Sequence, residues 1–373
     1  MHTTTNPPRL GVEEEFLVID PTTGTVTPQA PAIINRATGH LGPRISGEIT
    51  PLHIETRTNP TTSTTQLLHE LLDARHTLAD AATAEGLHVI PTGTPIHPGA
   101  VPPPVTPGPR QDHGTATYRG LHDELAICAV HIHVELPDRE HAVLVSNHLR
   151  PHLPLLIALT ANSPHWEGRD TGYASWRTMT WNRWPIAGPP PRFTSLDHYH
   201  HTIDTLTTTG ALVDPATLFW DIRPSPTHPT IEIRAADVPV TATESATLAA
   251  LVRALVTTAS HAVHHGDHGP TTPTEILRAA YWRAARDGLD GHLLDPHTHQ
   301  LRPAHHLLHD LLHQLTPTLH AHDDHHLVTT TLRHLTTTGT GATRQRTAAR
   351  RRGHLTDVTT YLATHLTATH PHH

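Results

Sequence analysis

The sequence contains no lysine: all 26 basic residues among its 373 are arginine. A P-loop needs a lysine on the β/γ-phosphates and a pyridoxal-phosphate enzyme needs one for its Schiff base, so both classes are excluded. Were the chain to handle a nucleoside triphosphate, phosphate charge would have to be met by metal ions and arginine forks. Cysteine is nearly absent too. Cys128 stands alone, which rules out an intrachain disulfide, argues against a thiolate-rich zinc centre and suits a reducing compartment. A basic excess is also missing. Net charge is −8 with histidine neutral, so nothing points to nucleic acid as a partner. No apolar run reaches the length of a membrane span; the best candidate, Leu153 to Ala161, is short and carries Pro154. Met1 to Pro8 has neither the basic nor the apolar part of a secretion signal. Together these absences predict a cytoplasmic protein with no membrane partner.

What the chain has in excess is histidine, 40 residues of it. Most read as surface residues that titrate ordinarily. The pairs His305-His306, His325-His326 and His372-His373 leave a metal-binding use open. A hydrophobic content of 36% is enough for a sizeable core. Recognisable chemistry stops near residue 271, where Leu, Ala, Arg and His at helical spacing take over. The expected organisation is therefore a catalytic core over residues 1–270 and a helical C-terminal region over 271–373 packed on it.

Along the core, strands are predicted over Leu10–Asp20, Gly47–Thr58, His88–Thr92, Ala126–Leu136 and Thr230–Val238. Helices are predicted over Thr64–Glu85, Glu140–Asn162 and Glu244–His264. Pro95–Pro109 reads as a long loop, and Gly168–Phe193, rich in Trp, Arg, Gly and Pro, as an ordered functional loop or lid.

Chemistry enters through strand periodicity, because side chains at i and i+2 share a face. Glu13 and Glu15 share one face of the first strand, opposite Val12, Phe16 and Val18. His53, Glu55 and Arg57 share a face of the second; His131, His133 and Glu135 oppose Val130, Ile132 and Val134; Glu232 and Arg234 oppose Ile231 and Ile233. One such ribbon is what any antiparallel strand with a wet face looks like. Four of them concentrating Glu, His and Arg are different, because carboxylates crowded on one sheet face repel unless cations neutralise them. Oxygen-rich sites with an occasional histidine suit Mg²⁺ or Mn²⁺, which in turn hold phosphates.

Several segments, in order, resemble the carboxylate–amine ligase family related to glutamate–cysteine ligase type 2. They are Leu10-Gly-Val-Glu-Glu-Glu-Phe16, Val130-His-Ile-His-Val134 with Pro137-Asp138, Ala161-Asn-Ser-Pro164, and Gly168-Arg-Asp-Thr-Gly-Tyr-Ala-Ser-Trp176. Further along come Arg183-Trp-Pro185, Trp220-Asp-Ile-Arg-Pro-Ser-Pro226 and Thr230-Ile-Glu-Ile-Arg234 with Ala236-Asp-Val238. The resemblance implies an α+β fold: a glutamine-synthetase-like, curved, mostly antiparallel sheet with helices on its convex side and ATP, metal and substrate on its concave face. It also implies an ATP-dependent ligase that forms an amide through an acyl phosphate, and relatives that are often homo-oligomers. Carried over by residue, Glu13, Glu15, Glu55, His131 and Glu232 become metal ligands. Glu13, Glu15, Glu48, Glu55 and Arg234 become ATP-site residues, Glu48 on the resemblance alone. Arg234 would neutralise the transferred phosphoryl group, and Arg169 and Arg177 would clamp a substrate carboxylate or phosphate.

Three features depart from the family pattern. Glu135 stands where a small residue is usual, His53 and Arg57 lie around the second acidic residue where neutral residues are usual, and Cys128 precedes Ala129, where glycine is common. The metal and ATP frame is intact and the specificity frame is altered. Two alternatives to a glutamate–cysteine ligase follow: an amide ligase of specialised metabolism with other small-molecule acid and amine substrates, and a catalytically inactive, histidine-rich metal-binding protein.

Overall fold

The fold is organised by a ten-residue strand, β1 (Leu10–Ile19), in a computed structural model that describes residues 7–214 and 217–369. After it come α1 (Ala30–Leu41), β2 (Ile45–Gly47), β3 (His53–Arg57), α2 (Thr64–Ala84) and β4 (His88–Ile90). Next are α3 (Pro109–Tyr118), β5 (Ala129–Glu135), α4 (Arg139–Leu149), α5 (Leu153–Thr160) and the hairpin β6 (His165–Trp166) and β7 (Arg169–Asp170). The core closes with α6 (Trp176–Trp181), α7 (Leu196–Thr208), β8 (Ile222–Pro224), β9 (Thr230–Asp237) and α8 (Ala242–His264). The remainder is α9 (Thr274–Asp287), the hairpin β10 (His292–Leu294) and β11 (Leu301–Pro303), then α10 (Ala304–Ala321), α11 (His325–Thr338), α12 (Gly341–Arg352) and α13 (Thr356–His365).

Seven strands make one sheet in the order β2-β3-β1-β5-β9-β8, with β4 on the far end of β1, and every pairing is antiparallel. This is the expected α+β class. Alternation along β1 sends Leu10, Val12, Glu14, Phe16 and Val18 to one face, where α2 and α8 pack. Burying an apolar ribbon against amphipathic helices is the main stabilisation, at roughly 25 cal/mol per Å² removed from water. Helix starts are set locally. Ser63, Asp138, Ser175, Ser195 and Thr241 each accept from the backbone N–H three residues on.

One prediction about apolar length is corrected. The longest apolar helix is α8, not Leu153–Ala161, and by length and composition it passes as a membrane span. Its surface is instead taken up by α2, α4, α10, α11 and the sheet. Such all-round burial is what an all-round apolar helix requires.

The residues after 271 share this core. Leu307, Leu311, Val328 and Leu332 join the cluster of Val12, Val130 and α8; Val358 and Leu362 join that of Phe16 and Ile54. Ion pairs bind the same region inward: Arg253–Asp324 at 2.6 Å, fully buried, and Arg344–Glu244 at 2.8 Å. The β10–β11 hairpin was not expected there. His372 and His373 lie outside the described residues.

The stretch Gly47–Thr58 contains its strand over His53–Arg57 only, as β3, and the residues between it and β2 form a turn. Pro51 cannot donate to a ladder, and Thr50 turns the chain, its hydroxyl accepting from Leu52 N at 3.3 Å. The lid-like stretch is ordered by α6 and by Arg346 of α12, which grips Asp170 at 2.7 Å. Four elements of the core had no prediction: α1, α3, α7 and β8.

Candidate active site

The face of the sheet away from α2 and α8 carries the ionisable ribbons, and antiparallel register brings them together. Glu15 lies opposite Glu55, and Glu13 opposite both Arg57 on β3 and His131 on β5. On the other side His133 and Arg223 flank Glu232. Between this face, α6 and the segment before β5 lies a cleft of about 920 Å³. Glu13, Glu15, Glu48, His53, Glu55, His131, Arg177, Arg223 and Arg234 all line it. A second cleft of about 910 Å³ opens at the other end of the strands, shares Glu13, and is lined by Arg9, His133, Glu135 and His228.

Two overlapping sets of donor atoms could hold a metal ion. One oxygen each of Glu13 and Glu232 with a ring nitrogen of His131 lie within 4.8 Å of one another, and so do atoms of Glu15, Glu55 and His131. His131 Nδ1 is 3.1 Å from Glu13, and its Nε2 is 3.7 Å from Glu15. Hard oxygens with one imidazole fit Mg²⁺ or Mn²⁺. The electrostatics agree. Burial, then the charges of Glu55 and Glu15, push the Glu48 carboxyl well above its ordinary range. Burial and neighbouring carboxylates raise Glu55 as well, and burial chiefly raises Glu15. Such carboxyls ionise readily only if a cation arrives. Glu13 and Glu232 are already compensated. Burial opposes ionisation in both, but hydrogen bonding to His131 and the nearby His133 holds Glu13 low, and Arg234 and Arg223 hold Glu232 low.

Of the three arginines expected to act on substrate or phosphate, Arg234 and Arg177 reach the cleft and Arg169 does not. Arg234 pairs with Glu232 and lies 3.4 Å from His131. Arg177, at the start of α6, is buried and braces β9 by donating to the carbonyls of Ala235 and Arg234 at 3.3 and 3.1 Å. Arg169 is a correction: it is exposed on β7 and does not line the cleft. Glu167 and Gly168 both take positive φ, 49° and 79°, the geometry of a tight hairpin turn that carries the following side chain outward.

The departures also resolve. Glu135 adds nothing to the donor sets; it holds Arg9 through two hydrogen bonds of 2.7 and 3.1 Å at the rim of the second cleft. Arg57 donates to Glu55 at 2.5 and 2.8 Å and to Ser46 at 2.6 Å, so it balances the acidic crowd. Seven lining residues carried no predicted role in the site: Ile49, Arg110, Leu125, Ile127, Trp181, Phe219 and Arg223. Arg223 was readable in part, since buried Ile222 before it repeats the apolar–ionisable alternation.

His53 makes the site's stability acid-sensitive. Burial pulls its imidazole down to about 4, whereas an unfolded histidine titrates near ~6.5. As pH falls through that window the unfolded chain takes the proton first, so stability is complete above about 6.5 and is lost toward 4. The share is on the order of 3 kcal/mol at ~1.4 kcal/mol per unit. His53→Gln should therefore show a shallower loss of urea-unfolding free energy between pH 7 and 4. His152 and His322, also drawn to about 4 by burial, keep their own contributions. Parallel curves for the two proteins would refute the assignment.

Residues 9–361 match the family model described as Glutamate-cysteine ligase family 2 (GCS2). A relative from Mycolicibacterium vanbaalenii, provisionally named glutamate–cysteine ligase 2-2, is 43% identical over 360 residues, 95% of this chain and 96% of its own. Among solved structures, a glutamate–cysteine ligase from Francisella tularensis in complex with AMP superposes with a TM-score of 0.72 at 12% identity, covering 98% of this chain and 90% of that one. A bifunctional glutathione synthetase from Pasteurella multocida gives 0.72 at 14% identity over 97% of this chain, which spans only 52% of that longer protein. At those identities the two structures establish a shared fold. By the extent of the family match and of the relative's identity, the chain belongs to glutamate–cysteine ligase family 2.

Proposed function

We propose that the protein is an ATP-dependent carbon–nitrogen ligase that joins a small-molecule carboxylate to an amine, with glutamate and cysteine as the family's default pair. One observation carries the reading: Glu13, Glu15, Glu48, Glu55 and His131, drawn from separate strands and one connecting loop, line a single cleft with Arg177, Arg223 and Arg234, and Glu232 lies behind them with a ligand atom within 4.8 Å of those of Glu13 and His131. The sheet is then a glutamine-synthetase-like bowl with the acids on its concave face.

In this reading Glu13, Glu15, Glu55, His131 and Glu232 hold Mg²⁺ or Mn²⁺, and Glu48 completes the acidic wall. Divalent ions there supply charge neutralisation for the phosphates of ATP. A carboxylate is a poor acyl donor, so an oxygen of the acid attacks the γ-phosphorus and ADP departs. The amine nitrogen then attacks the acyl carbon, phosphate leaves, and the nitrogen gives up a proton. The chain's own work is positioning and charge balance. Arg234 offers its guanidinium to the transferred group, and Arg177 stiffens the strand that carries Arg234 while presenting charge to the same cleft. Trp181 and Phe219 keep water from one wall.

The test is ADP release that needs Mg²⁺, acid and amine together, with a product mass equal to the sum of the two less one water. Chelation should abolish it and Mn²⁺ restore it. The inactive metal-binding alternative requires no turnover with a broad panel and tight Ni²⁺ or Zn²⁺ binding through the C-terminal histidines. Among the described residues, neither His305-His306 nor His325-His326 gathers a third ligand atom within 4.8 Å, which favours the ligase.

A further inference from the structure

The cleft has two unlike halves. One is ionic, built from the acids, His131 and Arg234; the other is lined by Ile49, Leu125, Ile127, Trp181 and Phe219. Trp181 and Phe219 lie with ring centroids 4.8 Å apart and belong with Leu125 and Ile127 to one packed cluster. Each still keeps 6–8% of its surface exposed. The other cations on the cleft wall are already engaged: Arg110 by Asp214 at 2.6 Å, Arg223 by Glu232 at 2.9 Å, and Arg177, whose guanidinium lies 6.0 Å from the Trp181 ring centroid, by the carbonyls of Ala235 and Arg234. A side-chain carboxylate placed against this wall would find apolar surface, the carboxyls of Glu48 and Glu55, and guanidiniums that already hold partners of their own.

His53 lines the same cleft and is 3% exposed. Its Nδ1 is held by the Thr50 hydroxyl at 2.9 Å, while its Nε2 has no hydrogen-bond partner among the described residues. A buried ring nitrogen without a partner is costly, and here its orientation is set by the bond on the opposite side of the ring. The loop that carries Thr50 is itself fixed, because Thr106 donates to the carbonyls of Ile49 and Glu48, each at 2.8 Å.

We propose that one of the two joined molecules carries an apolar or aromatic side chain seated on Trp181, Phe219, Leu125 and Ile127, and that His53 Nε2 is the specificity-determining hydrogen-bond partner for its polar end. The inference rests on the ligase reading for the chemistry, but the seat itself is a matter of shape and polarity. Hydrophobic pockets discriminate by about tenfold or more per misfit group, and a contact made equally in ground and transition states acts on KM.

The experiment uses the full chain with ATP and Mg²⁺, and a panel of amino acids and simple amines and acids including glutamate, serine, cysteine, leucine, phenylalanine and tryptophan. Product mass identifies the pair, and calorimetry measures binding of each compound alone. Leucine- or phenylalanine-like compounds are expected to exceed glutamate and serine about tenfold in kcat/KM. His53→Ala should raise KM for that compound about tenfold, leave KM for ATP in place, and be largely rescued by His53→Gln. A change confined to melting temperature would mark His53 as merely structural and overturn the assignment. Turnover that prefers a charged side chain overturns the seat and leaves the ligase standing. No turnover, but binding of leucine or phenylalanine that His53→Ala weakens, upholds the seat and removes the ligase. Failure of both measurements removes both.

Discussion

Glu13→Gln should abolish ADP release, by at least about 100-fold, in a protein that melts close to wild type. The size follows from what the carboxylate joins. Glu13 is a member of one donor set, sits between His131 and His133, and is the residue shared by the two clefts. Even loss of a residue that only supports a metal ligand typically costs ~10–100-fold, and removing a ligand charge should cost more. The fold is spared because the Glu13 side chain is 20% exposed and glutamine can still accept from His131. Glu232→Gln should silence activity equally but at a visible cost in stability. Glu232 is the buried counter-charge for both Arg223 and Arg234, and stripping a buried pair of one partner typically costs ~3–5 kcal/mol. Steady-state ADP release alongside thermal melts separates the two variants. Wild-type rates in either would end the metal assignment.

Arg75→Met should destabilise the fold by about 3–5 kcal/mol without touching the cleft. At ~2.1 cal/mol/K per residue that is a fall in Tm of about 4–6 °C. Arg75 is fully buried and donates to Glu14 at 2.6 and 3.0 Å, to the carbonyl of Pro239 at 3.0 Å and to that of Val240 at 2.8 Å. Without it, among the described residues, the Glu14 carboxylate keeps only the Ser245 hydroxyl, at 2.6 Å. Calorimetry on Arg75→Met and on the double variant with Glu14→Gln checks the cause, since the double variant should recover part of the loss. An unchanged Tm in the single variant would refute it. Glu14 points away from the cleft, so the three successive glutamates divide into two for chemistry and one for the core.

That division shows how far local pattern reaches. Alternation placed Glu13 and Glu15 on one face and predicted the four ionisable ribbons, because a strand's period is a property of its own backbone. Local signals also set the starts of α2 and α8 to within two residues, through a capping hydroxyl in each. They did not say that the face opposite Glu13 holds an ion pair, because Arg75 lies 61 residues from Glu14 on a helix. Arg169 looked equivalent to Arg177 in the same tryptophan-rich stretch, yet a two-residue turn sends it outward while the first turn of α6 sends Arg177 in. Glu48 followed only from resemblance, because it sits in a loop without periodicity.

By itself the sequence determined the absence of lysine-based phosphate chemistry, the α+β class, the half-ionisable strands and the family resemblance. The missing lysine and the half-ionisable strands are written in composition or in spacing along a short stretch of chain; the α+β class was implied by the resemblance. Only the tertiary structure decided which ribbons adjoin, that Arg223 closes over Glu232, that Glu135 is occupied by Arg9, and that one end of the cleft is apolar. Those facts depend on strand register and on loops meeting across large separations, where the free energy comes from packing between distant segments rather than from the preferences of any one of them.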